Sequence, residues 1–224
     1  MAVVRRRKAN RKKKPTRRAY KPRMHLKNSV NMGLGFPKKL LVKQKYSENH
    51  VLNPFVATDS YIYALNGIMD TNYTGVGHQP MFFDQFMGLY TNYCVIGCKM
   101  KVSMVPYSSN PSPVIAVLWQ NDDYIITPTS TYAKTEQSKA KKIVMNGNSG
   151  KNHVLTLNWS AKKSFGSNII SNLDYCGSAG FNPKMINAGV ITLASADGSD
   201  CKVLVSVDLE FIVVYLNLKD VSSS

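Results

Sequence analysis

The first 47 residues contain no aspartate or glutamate, and the first acid is Glu48. A segment without acids cannot neutralise itself, so its charge is available to an outside anion. Beyond Arg23 there is no arginine. No apolar run is long enough to span a bilayer. Ala2-Val3-Val4 passes directly into Arg5-Arg6-Arg7-Lys8, without the apolar segment that follows the charges of a secretory signal, so none is expected. Cysteine is sparse: Cys94, Cys98, Cys176 and Cys201 form no Cys-x-x-Cys pair. Neither a zinc site nor a disulfide framework is signalled, and buried free thiols in a reducing compartment are expected. Cys94 and Cys98 stand four apart on one strand face, too far for a bond along an extended chain, and read as core.

The motifs of catalysis are missing as well. There is no Gly-x-Ser-x-Gly, no His-Glu-x-x-His, no phosphate-binding loop and no dinucleotide-binding glycine pattern. The four histidines, His25, His50, His78 and His153, are scattered. His78, in Gly77-His78-Gln79-Pro80, reads as a loop histidine bonding a backbone carbonyl rather than as a catalytic group. Asp122-Asp123 and the pair Asp197 and Asp200 are acids on loops, a pattern that can hold calcium between subunits, although polar turns are the better reading. The expectation is a non-enzyme without catalytic residues, metal or cofactor.

What the chain does have is segregated charge. Residues 1–47 hold 17 Lys and Arg, whereas residues 48–224 hold 12 Lys against 13 acids. The first segment is therefore +17 and the remainder −1. A basic tail on a neutral body divides two tasks: the tail binds an anion, and the body is free to pack against its own copies. Residues 1–27 read as disordered, being charge-dense and interrupted by Pro15 and Pro22. The expected nucleic-acid-binding residues are Arg5, Arg6, Arg7, Lys8, Arg11, Lys12, Lys13, Lys14, Arg17, Arg18, Lys21 and Arg23. Each neutralises a phosphate and releases a counterion without sequence preference, and arginine adds bidentate contacts and base stacking suited to unpaired strands. The same clusters fit a nuclear import signal. An arm of about 30 extended residues, at roughly 3.3 Å each, reaches about 100 Å.

After residue 38 the pattern is that of strands. Period-two alternation and β-branched runs place them at Lys39–Tyr46, Ser60–Asn66, Cys94–Val105, Pro113–Asn121, Ala140–Asn146, Val154–Ser160, Ala188–Ser195 and Lys202–Leu216. Short helical turns are expected at Phe82–Leu89 and Thr131–Lys139. Two long connections, Gly67–Tyr93 and Ala161–Asn187, carry aromatics and glycines and are suited to contacts between subunits. Strands of this kind joined by long loops point to an all-β fold, an eight-stranded antiparallel jelly-roll sandwich, over residues 36–224, preceded by a basic disordered arm over residues 1–35.

The order of features resembles a family. The basic arm is followed by Gly35-Phe36-Pro37-Lys38-Lys39-Leu40 and Val42-Lys43-Gln44-Lys45-Tyr46. Then come Gly77-His78-Gln79-Pro80, Phe83-Asp84-Gln85-Phe86, Tyr90 and Tyr93-Cys94-Val95-Ile96-Gly97-Cys98-Lys99. This is similar to the capsid proteins of circoviruses and related Rep-encoding circular single-stranded DNA viruses, with the sharper matches before residue 105. The resemblance implies a jelly roll of which about sixty copies close one symmetric shell. It also implies an internal arm that contacts a single-stranded DNA genome and engages host nuclear import factors, and surface loops that meet a host receptor. The implied locations are the virion and, during assembly, the host nucleus. The arm here is shorter and less arginine-pure than in typical circoviruses. Charge alone fits equally a coat protein of a small RNA or satellite virus, or a basic-tailed cellular nucleic-acid-binding protein.

Overall fold

The computed structural model describes residues 35–55, 58–74, 77–122, 135–137, 139–166 and 169–219, all within the unit Gly33–Ser224. Strand β1 is Lys39–Leu52, β2 Thr58–Ala64, β3 Tyr90–Pro106, β4 Pro113–Asn121, β5 Lys141–Asn146, β6 His153–Ser160, β7 Ala188–Ser195 and β8 Val203–Leu218. Helix α1 is Phe83–Leu89 and the one-turn α2 is Ala161–Phe165.

The strands form two four-stranded sheets, ordered β1-β8-β3-β6 and β2-β7-β4-β5, and the ladders are antiparallel. Successive strands alternate between the sheets for the most part. This is the jelly roll expected from the strand pattern. The core lies between the sheets. Met100, Val102, Met104, Leu209, Phe211 and Val213 face inward from the first sheet, and Tyr63, Val114, Ala116, Leu118, Ile191 and Leu193 from the second.

The alternation of β1 shows how the sequence sets its face. Lys39, Leu41, Lys43, Lys45 and Ser47 are exposed, whereas Gln44 and Tyr46 are buried. The strand runs six residues past the expected end at Tyr46, to Leu52, because Glu48 and His50 share the inward face with Tyr46 and have polar partners there. Strand β3 starts at Tyr90 rather than Cys94, since Tyr90–Asn92 pair with Leu216–Leu218 of β8. A bulge between Val95 and Gly97 shifts its register and re-aims the residues that follow. Strand β2 leaves the ladder at Ala64, where Leu65 N–H turns to the carbonyl of Asn187 at 2.8 Å. Of the helical turns expected from sequence, the first forms as α1. Residues 131–134 and 138 of the second lie outside the described residues.

The two long connections are fastened to each other. Tyr93 Oη donates to Asn182 Oδ1 at 2.9 Å and accepts from Ile68 N–H and Met69 N–H at 3.2 and 3.3 Å. Asn182 Nδ2 donates to the carbonyl of Asp70 at 2.7 Å. Burial, the main cause, pushes the Tyr93 hydroxyl up from its ordinary value, so it stays protonated and remains a donor. Gly177 pairs with Tyr93 through both backbone groups. A Cβ there would lie 2.3 Å from Tyr93 Cζ, so glycine is required by close approach rather than by backbone conformation.

Candidate nucleic-acid interface

The twelve basic residues singled out from sequence, Arg5 through Arg23, lie outside the described residues. Lys38, Lys39, Lys43 and Lys45, counted with the same basic segment by charge, belong to the folded body, and the last three are on β1.

The register of the first sheet gathers further lysines beside them. Lys45 is opposite Glu210, which is opposite Lys99, which is opposite Asn158. In the next outward row Ser47 is opposite Asp208, then Lys101, then Thr156. On the other side Lys43 is opposite Ile212, which is opposite Gly97. The outward face thus carries Lys39, Lys43, Lys45, Lys99 and Lys101 against Asp208 and Glu210. Lys45 Nζ lies 3.4 Å from Glu210 Oε1, with both side chains well exposed, so that pair is screened and weak. Asp208 accepts from Ser47 Oγ at 2.8 Å.

The outward face of the second sheet has another character. Val117, Trp119, Ala188 and Val190 form a second apolar cluster there with Ile62 and Ile115. Lys142 stands opposite Val117 on this face. The near-neutral body thus carries five strand lysines on the outward face of the first sheet and two, Lys141 and Lys142, on β5 of the second.

Two of the described histidines stack on tyrosines. The His78 ring stacks on Tyr46 at 4.5 Å. His50 stacks on Tyr61 at 3.8 Å, and its Nε2 lies 3.4 Å from Glu48 Oε2. The same carboxylate oxygen accepts from Tyr46 Oη and, at 2.9 Å, from Asn72 Nδ2. Burial and then Glu48 push the Tyr46 hydroxyl up, so it stays a donor. The cluster ties β1 to the loop after β2. Sequence reading missed it because its members come from positions 46 to 78.

Asp197, considered for calcium, is occupied by its own turn. It accepts from Ser112 Oγ, from Ser195 Oγ at 3.2 Å and from Ser199 N–H at 2.9 Å. The Ser112 hydroxyl first, and the Ser199 contacts next, hold its carboxyl well below the usual carboxylate range. Among the described residues no group of three or more His, Cys, Asp or Glu is placed to hold a metal ion.

The cysteines depart from expectation. Cys94 and Cys176 form a disulfide across 82 residues, with Cα atoms 4.5 Å apart, while Cys98 and Cys201 are free and buried. Free thiols were expected because spacing alone shows no pair. The bond becomes possible once the second connection folds against β3 and Gly177 pairs with Tyr93.

No protein-family model matches the chain, and no curated protein matches it. Solved structures that it resembles include a chain of tobacco necrosis virus, with 10% identity and a TM-score of 0.49 over 83% of this chain and 85% of that one. A chain of the 60-mer BFDV capsid protein shares 12% identity with a TM-score of 0.44, over 84% of this chain and 100% of that one. A chain of Desmodium yellow mottle tymovirus shares 12% identity with a TM-score of 0.43, over 100% and 99%. At these identities the likeness concerns the course of the backbone.

Proposed function

We propose that this chain is a structural coat subunit, not an enzyme. In this reading residues 36–224 pack against copies of themselves to close a small icosahedral shell, and residues 1–35 hold a single-stranded DNA genome inside it. The observation that carries the reading is the segregation of charge. Residues 1–47 carry 17 cations and no acid, and they lead into a near-neutral remainder with 12 cations against 13 acids. A polyanion is matched by the first feature, and repulsion between bodies is kept low by the second.

The loops supply contact surface for neighbouring subunits. Met81 and Phe181, in the two long connections, are 74% and 77% exposed, and Phe82, Leu173 and Met185 nearby in sequence are also exposed. The choice of DNA over RNA, the nuclear import role of the arm and a host receptor for the loops rest on the sequence resemblance.

Electron microscopy of the purified full chain tests the proposal. Uniform closed shells are expected, and a stable monomer by light scattering across salt and pH contradicts them. Nuclease treatment of opened particles separates the genomes: sensitivity to deoxyribonuclease is expected, and ribonuclease-sensitive contents overturn the DNA assignment.

A further inference from the structure

The outward face of the first sheet contains a hollow of about 290 Å³ at the β3 bulge, lined among others by Lys43, Gly97, Lys99 and Ile212. Its floor exists because residue 97 has no side chain. The cross-strand row there runs Lys43, Ile212, Gly97, so the position between two rows of long side chains is left open. A Cβ on Gly97 would meet only Ile212 Cδ1 and the Trp159 carbonyl, both at 3.7 Å. The space above is unfilled, and no steric demand inside the protein requires glycine.

We infer that this hollow is a nucleotide subsite, in which a base rests on the Gly97–Ile212 floor while Lys43 and Lys99 hold the flanking phosphates. The inference rests on the coat-subunit reading and adds a folded contact for the strand beyond the basic arm. Three observations select nucleic acid as the occupant. The face carries five lysines against two acids, a complement to phosphate. Lysine stems flank an apolar floor, the combination that binds a strand with unpaired bases. The basic segment runs in sequence directly into β1, a strand of the sheet that bears the hollow. The size is close to the lower limit of pockets that hold small organic ligands, about 300 Å³. Glu210, from β8, also lines the hollow; it faces Lys99 and Lys45 across the strands and its carboxylate is paired with Lys45, so Lys43 and Lys99 are the lining cations offered to the phosphates.

The test uses the full chain and oligodeoxythymidylate of uniform length. The salt dependence of binding is compared for the parent, for Lys43→Gln/Lys99→Gln, and for Lys142→Gln/Lys151→Gln, whose lysines are exposed and off this face. Each phosphate contact on a single strand contributes about 0.7 to the slope of log affinity against log salt. The first variant is expected to lower the slope by about 1.4 and the second to leave it unchanged. An equal effect of both variants, or of neither, overturns the subsite.

A second measurement reads contact directly. An oligodeoxynucleotide containing abasic sites forms imines with nearby lysines, and borohydride traps them for mapping by mass spectrometry. Adducts at Lys43 or Lys99 are expected beside those in residues 1–34, and Gly97→Val, which fills the hollow, is expected to reduce them. Adducts confined to residues 1–34 overturn the subsite while leaving the coat-subunit reading intact. No binding by the full chain at any salt overturns both.

Discussion

At the scale of the residue, the fold depends on a few polar side chains with several partners each. Tyr93 accepts two backbone N–H groups of one long connection and donates to Asn182 of the other. Tyr93→Phe leaves Ile68 and Met69 N–H without that acceptor and is expected to cost about 1–3 kcal/mol, measured by urea denaturation. Gly177→Ala is expected to cost a similar amount, about 1–3 kcal/mol, by overpacking against the Tyr93 ring. The pair should be non-additive, since loss of the Tyr93 hydroxyl removes one of the close contacts that the new Cβ would meet. Asp197 supplies a pH signature. Its folded-state carboxyl is held below its ordinary value by Ser112 and Ser199, so it adds stability above the unfolded-state value and loses it as the pH falls through the depressed one. Asp197→Asn is therefore expected to lower stability at neutral pH and to flatten its decline into acid, with both curves followed by thermal unfolding. Only the local Asp197–Ser199 turn was legible in the sequence, because Tyr93–Asn182, Tyr93–Ile68 and Asp197–Ser112 join positions distant along the chain.

At the scale of the element, sequence patterning found the strands and misjudged their ends for definable reasons. Strands β4 and β7 match expectation at both ends, being apolar runs with abrupt flanks. Strand β1 continues past Tyr46 because Glu48 and His50 are half-buried on its inward face with partners, which an alternation of apolar and polar residues cannot reveal. Strand β3 hides its first turnless residues, Tyr90–Asn92, in a polar stretch that looks like loop. The disulfide is the clearest omission. Cys94 lies on β3 and Cys176 in the connection before β7, and no spacing rule joins residues 82 apart. Closing a loop of that length removes unfolded-state entropy equivalent to about 4 kcal/mol. Full reduction, or Cys94→Ser/Cys176→Ser, is expected to lower the urea midpoint accordingly while the two remaining thiols stay unreactive in the folded protein. Burial pushes the Cys98 thiol well up and raises Cys201 as well, so alkylation before unfolding is expected to label neither.

At the scale of the whole molecule, the charge count was correct and its geometry was out of reach. The sequence shows a +17 segment and a −1 remainder. It does not show that Lys45 on β1 aligns through Glu210 of β8 with Lys99 on β3, with Lys43 and Lys101 in the neighbouring rows, because that requires the register of three strands. The folded body thus carries lysines on the outward face of the first sheet and buries an apolar cluster against the second. If about sixty copies close a shell, their basic segments neutralise roughly 800 to 1,000 phosphates by counterion release. That capacity suits a small single-stranded genome.

The central claim, that the basic segment packages nucleic acid for a shell built by the jelly roll, is tested most directly by deleting residues 2–23. Particles of the deleted and full-length chains are compared by electron microscopy and by the ultraviolet absorbance of their contents. Closed shells from both chains, with nucleic acid in the full-length particles alone, are predicted. Equal nucleic-acid content in the two preparations contradicts the account.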